Sequence, residues 1–410
     1  MRGLTKILTK AKSDVVIVSA LRTPFTRALK GGLARMAPEE LLSSVLKATV
    51  AQTGIDPNNV DDVLTGAVLQ TLGGQKASAT AIKYAGFPVS TTSATINRQC
   101  SSSAMAVAYM AGAIRSGSVQ VGIAGGVESM SFDYFPHRGI PNRLASELVE
   151  REGEARDVLM PMGITSENVA EEFGVSREKQ DEFALASHLK AAEAWGTGFY
   201  DQEVISVMAR KVYDEKKGEH EPESGTEWVE ISRDDGVRAN TTLEGLAKLR
   251  PVFSATGTTT AGNSSQISDG ASAVLLMSRE RADLLGLPVL GKFVHSVVAG
   301  VPSRLMGIAP SVAVPKLLDA TGLEIRDVDV FELNEAFASQ SVYCIEKLGI
   351  DLAKLNPGGG AIAIGHPLGA TGGRCIATLM NGLGKSGGKI GIVSMCASTG
   401  QGYAGLFVRE

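Results

Sequence analysis

The chain has 410 residues, of which 44% are apolar and 20% charged, with a formal net charge of −4. That balance excludes a disordered chain, and the absence of a Lys/Arg cluster argues against a nucleic-acid binder. Glycine is frequent, 47 residues, and aromatics make up only 5%, which suits tight turns and a core of Ala, Val, Ile and Leu in buried parallel strands under helices. In chain order, residues 1–13 come first: MRGLTKILTKAKS is basic and carries no acid. They read as a basic tail, with an organellar address as the alternative because Leu4, Ile7 and Leu8 share a helical face. Asp14–Ser19 reads as a buried strand, Ala37–Thr53 as a helix with Pro38 near its start, Val60–Val68 as strand and turn, and Ala77–Gly86 as a helix ending on glycine. Ala94–Ile96 is a short strand leading into a helix that begins near Cys100, and Val119–Ala124 is the next strand. This alternation predicts βαβ units and a mainly parallel sheet.

From about Ser131 to Leu249 the pattern changes. FPHRGIPN, a charged helical segment over Glu167–Trp195 and the polar run DEKKGEHEPESG read as an insertion. Regular patterning resumes with Val274–Met277 and VHSVVAGV as strands, Val312–Ala320 as helix, Val328–Leu333 as strand and Asn334–Leu348 as helix. Two strands joined by a glycine-containing turn end the chain. VQVGIAGGVESM and KIGIVSMCASTG echo each other, which suggests two similar α/β halves. The division expected is a basic tail over 1–13, a first half from 14–130 and 250–280, an insertion over 131–249 and a second half over 281–410.

The four cysteines, Cys100, Cys344, Cys375 and Cys396, form no C-x-x-C pair and share no ligand spacing with the five histidines. Neither a disulfide framework nor a zinc site is expected. No apolar run is long enough for a membrane span. Cys100, at the apparent start of an apolar helix, would feel the positive end of the dipole, which favours the nucleophilic thiolate; a small core residue is the competing reading. His366 lies in NPGGGAIAIGHPLGATGGR, where seven glycines fall among residues 356–373. A histidine on such a loop is either a general base or a turn residue making a structural hydrogen bond. Cys396 follows a strand and is an acid/base or a buried core thiol. Cys344 and Cys375 read as core. Asn334 reads as a helix N-cap, and Glu335 as a first-turn acid that favours the dipole.

Six ordered motifs decide among these readings. NRQCSS (97–102), GGVESMS (125–131), PMGITSENVA (161–170), GTTTAGNSSQISDGA (257–271), NEAFA (334–338) and GGAIAIGHPLGATGGR (359–374) together resemble the thiolase family, specifically its peroxisomal-type 3-ketoacyl-CoA thiolases, from Asp14 to Glu410. The resemblance implies an α/β fold of two similar βαβαβαββ halves in an α/β/α/β/α layering, with a loop domain inserted in the first. It implies Cys100 as acyl-carrying nucleophile and His366 as its base. His366 would also form one oxyanion hole with a water on Asn334. Cys396 would exchange a proton with the acetyl-CoA enolate. A second oxyanion hole would come from the backbone N–H groups of Cys100 and Ser398. Ser265, Ala261 and Gly262 would line the pantetheine arm, and Met162 and Phe337 the acyl and pantetheine tunnel. No metal and no bound cofactor are implied; coenzyme A is a co-substrate and acyl-CoA the substrate. A homodimer, or a tetramer of dimers, is implied, with no nucleic-acid or membrane-spanning role.

Ser103 and Ser398 stand where the family usually has glycine, which puts the oxyanion geometry at issue if that backbone needs a positive φ. The degradative 3-ketoacyl-CoA thiolase is therefore one hypothesis, favoured by Pro161 before Met162. A divergent thiolase acting on an unusual acyl-CoA, or condensing acetyl-CoA units, is the second, and an inactive acyl-CoA-binding protein the third. The resemblance points to a peroxisomal setting. The family's N-terminal peroxisomal signal is not matched in residues 1–20, and the cytosol and mitochondrial matrix remain alternatives.

Overall fold

The computed structural model of the chain describes residues 2–135, 147–214, 216, 219–222 and 225–410. The segment FPHRGIPN falls outside them from Pro136 on, as does part of DEKKGEHEPESG.

The first half begins with a short helix α1 (Arg2–Leu8) and strand β1 (Val15–Arg22), followed by helix α2 (Pro38–Thr53) and β2 (Asp62–Gly66). Helix α3 (Gln75–Tyr84), β3 (Thr92–Ile96), α4 (Ser102–Arg115) and β4 (Val121–Ser129) follow. The chain then leaves the sheet for helices α5 (Met162–Phe173) and α6 (Arg177–Gly196) and returns as β5 (Ser268–Ser278). The second half repeats the plan with β6 (Gly291–Gly300), α7 (Pro310–Thr321), β7 (Val330–Leu333), α8 (Ala338–Leu348), α9 (Thr371–Ser386), β8 (Ile390–Ala397) and β9 (Gln401–Arg409).

Pairing follows one rule in both halves. β2 lies parallel to β4 and β7 parallel to β8, while the last strand of each half, β5 or β9, runs antiparallel to both its neighbours. Val15–Ile17 also pair with Gly291–Phe293, and so join the two halves' sheets. The halves differ at one place. β3 pairs along β2 over five residues, whereas its counterpart in the second half is a single parallel bridge from Phe331 to Leu355. Pro357 and three consecutive glycines follow Leu355, and such residues do not sustain a strand.

Alternation of side chains along the strands builds the layers. Val15, Ile17, Val274 and Leu276 turn to a central core, and Val16, Val18, Leu275 and Met277 to an outer one under α2 and α3. In the second half Val393, Met395, Tyr403 and Phe407 face the same central core, while Ile392, Leu406 and Val408 face an outer one under α7 and α8. The central core is filled by α4 and α9, through Met105, Val107 and Met110 on one helix and Ile376, Leu379 and Met380 on the other. The result is helix, sheet, helix, sheet, helix. The two central helices approach closely because Gly372 carries no side chain: a Cβ there would lie 2.4 Å from the Ala104 nitrogen, while one on Gly373 would meet Ser272 of β5.

Four sequence expectations change. The sheet is mixed rather than mainly parallel, because the last strand of each half, β5 or β9, runs antiparallel to its neighbours and β1 pairs β6 antiparallel. Residues 1–13 are not a loose tail, because α1 inserts Ile7, 7% exposed, into the outer core of the second half together with Leu4. The helical segment over 167–195 is two helices, broken at Gly174, whose φ of 65° ends α5. The helix placed at Asn334 starts four residues later at Ala338, with Phe337 as its cap residue, because 334–337 are held by neighbouring chain. The Asn334 N–H bonds the Ser394 carbonyl, and Ser265 N–H bonds the Ala336 carbonyl.

Candidate active site

Cys100 sits in a turn between β3 and α4. Asn97 Oδ1 accepts the Gln99 N–H at 2.9 Å, an Asx turn, and Gln99 is forced to a φ of 50°, an uncommon conformation for a residue with a side chain. Ser102 Oγ accepts the Arg98 N–H at 2.9 Å and donates to the Gln99 carbonyl at 2.6 Å, closing the turn. The helix begins two residues beyond Cys100, so the thiol lies ahead of its first turn rather than in it. The expected dipole effect is outweighed: burial pushes the Cys100 thiol up to about 11, and hydrogen bonds from the Ser398 and Cys100 backbone N–H groups only partly offset this. At neutral pH Cys100 is a thiol, so attack by its sulfur would need a base.

His366 supplies a fitting group. It is 5% exposed, and burial, with the Arg374 charge, lowers its pKa to about 3. Its Nδ1 lies 2.6 Å from Thr371 Oγ1, and that hydroxyl donates its proton to the Pro367 carbonyl at 2.9 Å. Nδ1 must therefore carry the ring proton, which leaves Nε2 with a free lone pair. Asn334 Nδ2 stands 3.5 Å from Nε2, and Asn334 Oδ1 is buried without a partner. The His366 loop is fastened to the Cys100 helix where the Gly373 N–H donates to Ser103 Oγ at 2.9 Å. Ser103 thus has a bonding role within the helix pair.

Cys396 is the penultimate residue of β8 and fully buried. Burial holds its thiol well above the usual range, and the neighbouring Cys100 and Cys344 add to this. It shares one apolar cluster with Phe337, Met306, Ala309 and Ala336, against which Met162 packs. Phe253 meets Phe337 edge-on at 6.3 Å. The turn after Cys396 answers the question of Ser398. The left-handed residues are Thr399 (φ 70°) and Gly400 (φ 72°); Ser398 is not among them, so its side chain imposes no backbone strain.

Cys100, Ser398 and Cys396 are thus brought together, His366 pairs with Asn334, and Met162 and Phe337 join Cys396. Ser265 is half-buried and reaches this group through the Ala336 carbonyl. Ala261 is exposed and Gly262 buried against Leu249 and Leu246, farther out along the same loop. Sequence reasoning missed Thr371, Met306, Phe253 and Glu128. Glu128 is fully buried, and its carboxylate accepts the N–H groups of Val68, Leu69 and Gly369 at 3.0–3.1 Å, tying the His366 loop to the neighbouring turn. Burial pushes it up to about 8. Its motif, GGVESMS, was visible, but nothing local reveals partners so distant in sequence. Among the described residues no group of three or more metal-ligating side chains occurs, and no helix is long and apolar enough to cross a membrane.

Comparison with known proteins decides the family. Residues 15–280 match the thiolase N-terminal domain and residues 287–409 the thiolase C-terminal domain. The chain belongs to the thiolase family. It is therefore an acyltransferase. Among its relatives is the peroxisomal 3-ketoacyl-CoA thiolase B of Rattus norvegicus, 50% identical over 396 residues, covering 96% of this chain and 91% of the relative. The dimeric peroxisomal thiolase of Saccharomyces cerevisiae superposes with a TM-score of 0.90 at 42% identity, over 99% of this chain and all of that one. A second structure of peroxisomal 3-ketoacyl-CoA thiolase from that yeast, described as five-layered and built from two core domains of identical topology, gives a TM-score of 0.78 at 37% identity, with 98% and 100% coverage. The layering derived above from the three cores is the thiolase fold.

Proposed function

We propose that this thiolase is a degradative 3-ketoacyl-CoA thiolase of fatty acid β-oxidation, cleaving 3-ketoacyl-CoA with coenzyme A to acetyl-CoA and a shortened acyl-CoA. The observation that carries the site assignment is the convergence of the Ser398 and Cys100 backbone N–H groups on the Cys100 sulfur. An acyl group bound to that sulfur would place its oxygen among preorganised donors.

The roles follow from protonation states. His366 Nε2 takes the Cys100 proton as the sulfur attacks the keto carbon. The Cα–Cβ bond breaks, and the departing enolate carbon takes the Cys396 proton. Acetyl-CoA leaves, and Cys100 holds a thioester. Solvent returns the His366 proton to the Cys396 thiolate once acetyl-CoA has left; the thiol of the second coenzyme A then gives its proton to His366 Nε2 and attacks the thioester. Cys100 departs and recovers its proton from His366, so both thiols and the imidazole return to their starting states. Asn334, with an unpartnered Oδ1, would hold a water beside His366 for the first oxyanion. Met162, Phe337 and Met306 would line the acyl tunnel, and Ser265, Ala261 and Gly262 the pantetheine arm.

The division proposed is a basic N-terminal segment over 1–13, halves at 14–130 with 250–280 and at 281–410, and an inserted domain over 131–249; the family matches over 15–280 and 287–409 support the boundary between the halves. The relatives' names support a peroxisomal setting, which the distribution of the tagged full chain between organelle and cytosol checks. The likeness to a dimeric thiolase, and the position of β3 at the end of the sheet with no strand beyond it, support a homodimer. The activity is tested by CoA-dependent loss of 3-ketoacyl-CoAs from short to long. The wild type cleaves them, and Cys100→Ala loses at least ~10³-fold in kcat. A folded wild type inert at every length would overturn the reading in favour of an unusual acyl-CoA.

A further inference from the structure

Helix α8 carries a buried amide that the roles above leave unused. Gln340 is 1% exposed, and its Oε1 accepts the Ala336 N–H at 3.2 Å. A backbone N–H can only donate, so it defines which end of the amide is oxygen. The Cys396 thiol donates to that same Oε1 at 3.6 Å. Gln340 Nε2 is buried without a partner, which destabilises the fold and which an apolar side chain of the same volume would avoid. Room for the amide depends on Gly307, where a Cβ would lie 2.7 Å from Gln340 Cβ. Cys344, one turn further along α8, donates to the Gly307 carbonyl at 3.4 Å and holds that segment against the helix.

We propose that Gln340 is a positioning residue for Cys396: its Oε1, anchored by the Ala336 N–H, fixes the direction of the Cys396 thiol and keeps it protonated until the enolate forms. An amide oxygen accepting an S–H stabilises the thiol over the thiolate, which is the state cleavage requires of an acid. The inference rests on reading Cys396 as the group that exchanges a proton with the enolate carbon. It adds no contact to Cys100, so the effect belongs to one half of the chemistry.

The test separates the halves. Exchange of the acetyl-CoA methyl protons with deuterium oxide reports Cys396, and exchange of an acyl group between coenzyme A molecules reports Cys100 and His366. Gln340→Met should lower proton exchange by about 10- to 100-fold while leaving acyl exchange within about threefold of wild type. Gln340→Glu, which keeps an acceptor oxygen, should recover proton exchange to within about fivefold. Equal losses in both exchanges would make Gln340 a structural residue and overturn the proposal, as would unchanged proton exchange in Gln340→Met. Cys396→Ala is run alongside. If it still exchanges methyl protons, the reading of Cys396 fails and the proposal with it; if it does not, an unaffected Gln340→Met counts against the proposal alone.

Discussion

At the scale of single residues, the site works through groups whose resting charge is suppressed. Cys100 titrates near 11, above its usual range, and His366 near 3, below its usual range, both through burial. Each group is therefore neutral at pH 7, and in the proposed mechanism the thiolate–imidazolium pair would form only as the proton moves during attack. The sign is testable. Because the thiol pKa is raised, the thiolate fraction at neutral pH is small and grows with alkalinity. Alkylation of Cys100 by iodoacetamide should accelerate about tenfold per pH unit from 7 to 10. A plateau beginning near pH 7 would show a preformed thiolate. Cys100, His366 and Cys396 stood out as candidates in the sequence because reactive residue types sit in glycine-rich or small-residue turns, and the structure places all three buried beside the groups named above. Thr371 and Gln340 did not stand out, since each looks like an ordinary helix residue until the chain brings its partner close. The thiolate expected of Cys100 failed for the same reason: helix start and burial both depend on tertiary packing.

At the scale of elements, glycine sets the distances. Gly372, near the start of α9, lets it meet α4 closely, and the Gly373 N–H finds Ser103 Oγ there. Gly372→Ala would place a Cβ 2.4 Å from the Ala104 nitrogen. Backbone cannot yield as a flexible side chain does, so the variant should lose about 1–3 kcal/mol of stability, read as a lower urea midpoint. An unchanged midpoint would show that the helices can part. Strands and most helices were legible from apolar periodicity, as with β1 and α2. The start of α8 was not. Asn334 and Glu335 look like an N-cap and a first-turn acid, yet Glu335 accepts from Ser187, Asn356 and the Ile362 N–H, contacts 21 to 148 residues away in sequence that hold it outside the helix.

For the whole molecule, two copies of one plan share a central helix layer, and the groups proposed to be catalytic come from both: Cys100 from the first, Asn334, His366 and Cys396 from the second. The echo between VQVGIAGGVESM and KIGIVSMCASTG belongs to β4 and β8, equivalent strands of the two halves. The large sheet ends along β3 on an edge that no strand of the described residues covers. Thr92 N–H and the Ile96 carbonyl face β2, so Ser93 and Thr95 turn their backbone outward; the Gln75 side chain caps the Ser93 carbonyl, and the rest of the edge invites a second chain. The wild type should sediment at twice the chain mass, and Thr95→Pro, which removes an outward N–H, should shift it toward monomer. A monomeric wild type at micromolar concentration would contradict a homodimer.

The central claim is that the acyl group passes through Cys100. The most direct measurement is the intact and peptide mass of the enzyme after brief exposure to a 3-ketoacyl-CoA without added coenzyme A. One acyl group per chain should appear on the Cys100 peptide, released by coenzyme A and absent from Cys100→Ala. An acyl group on another residue, or cleavage that persists in Cys100→Ala, would contradict it.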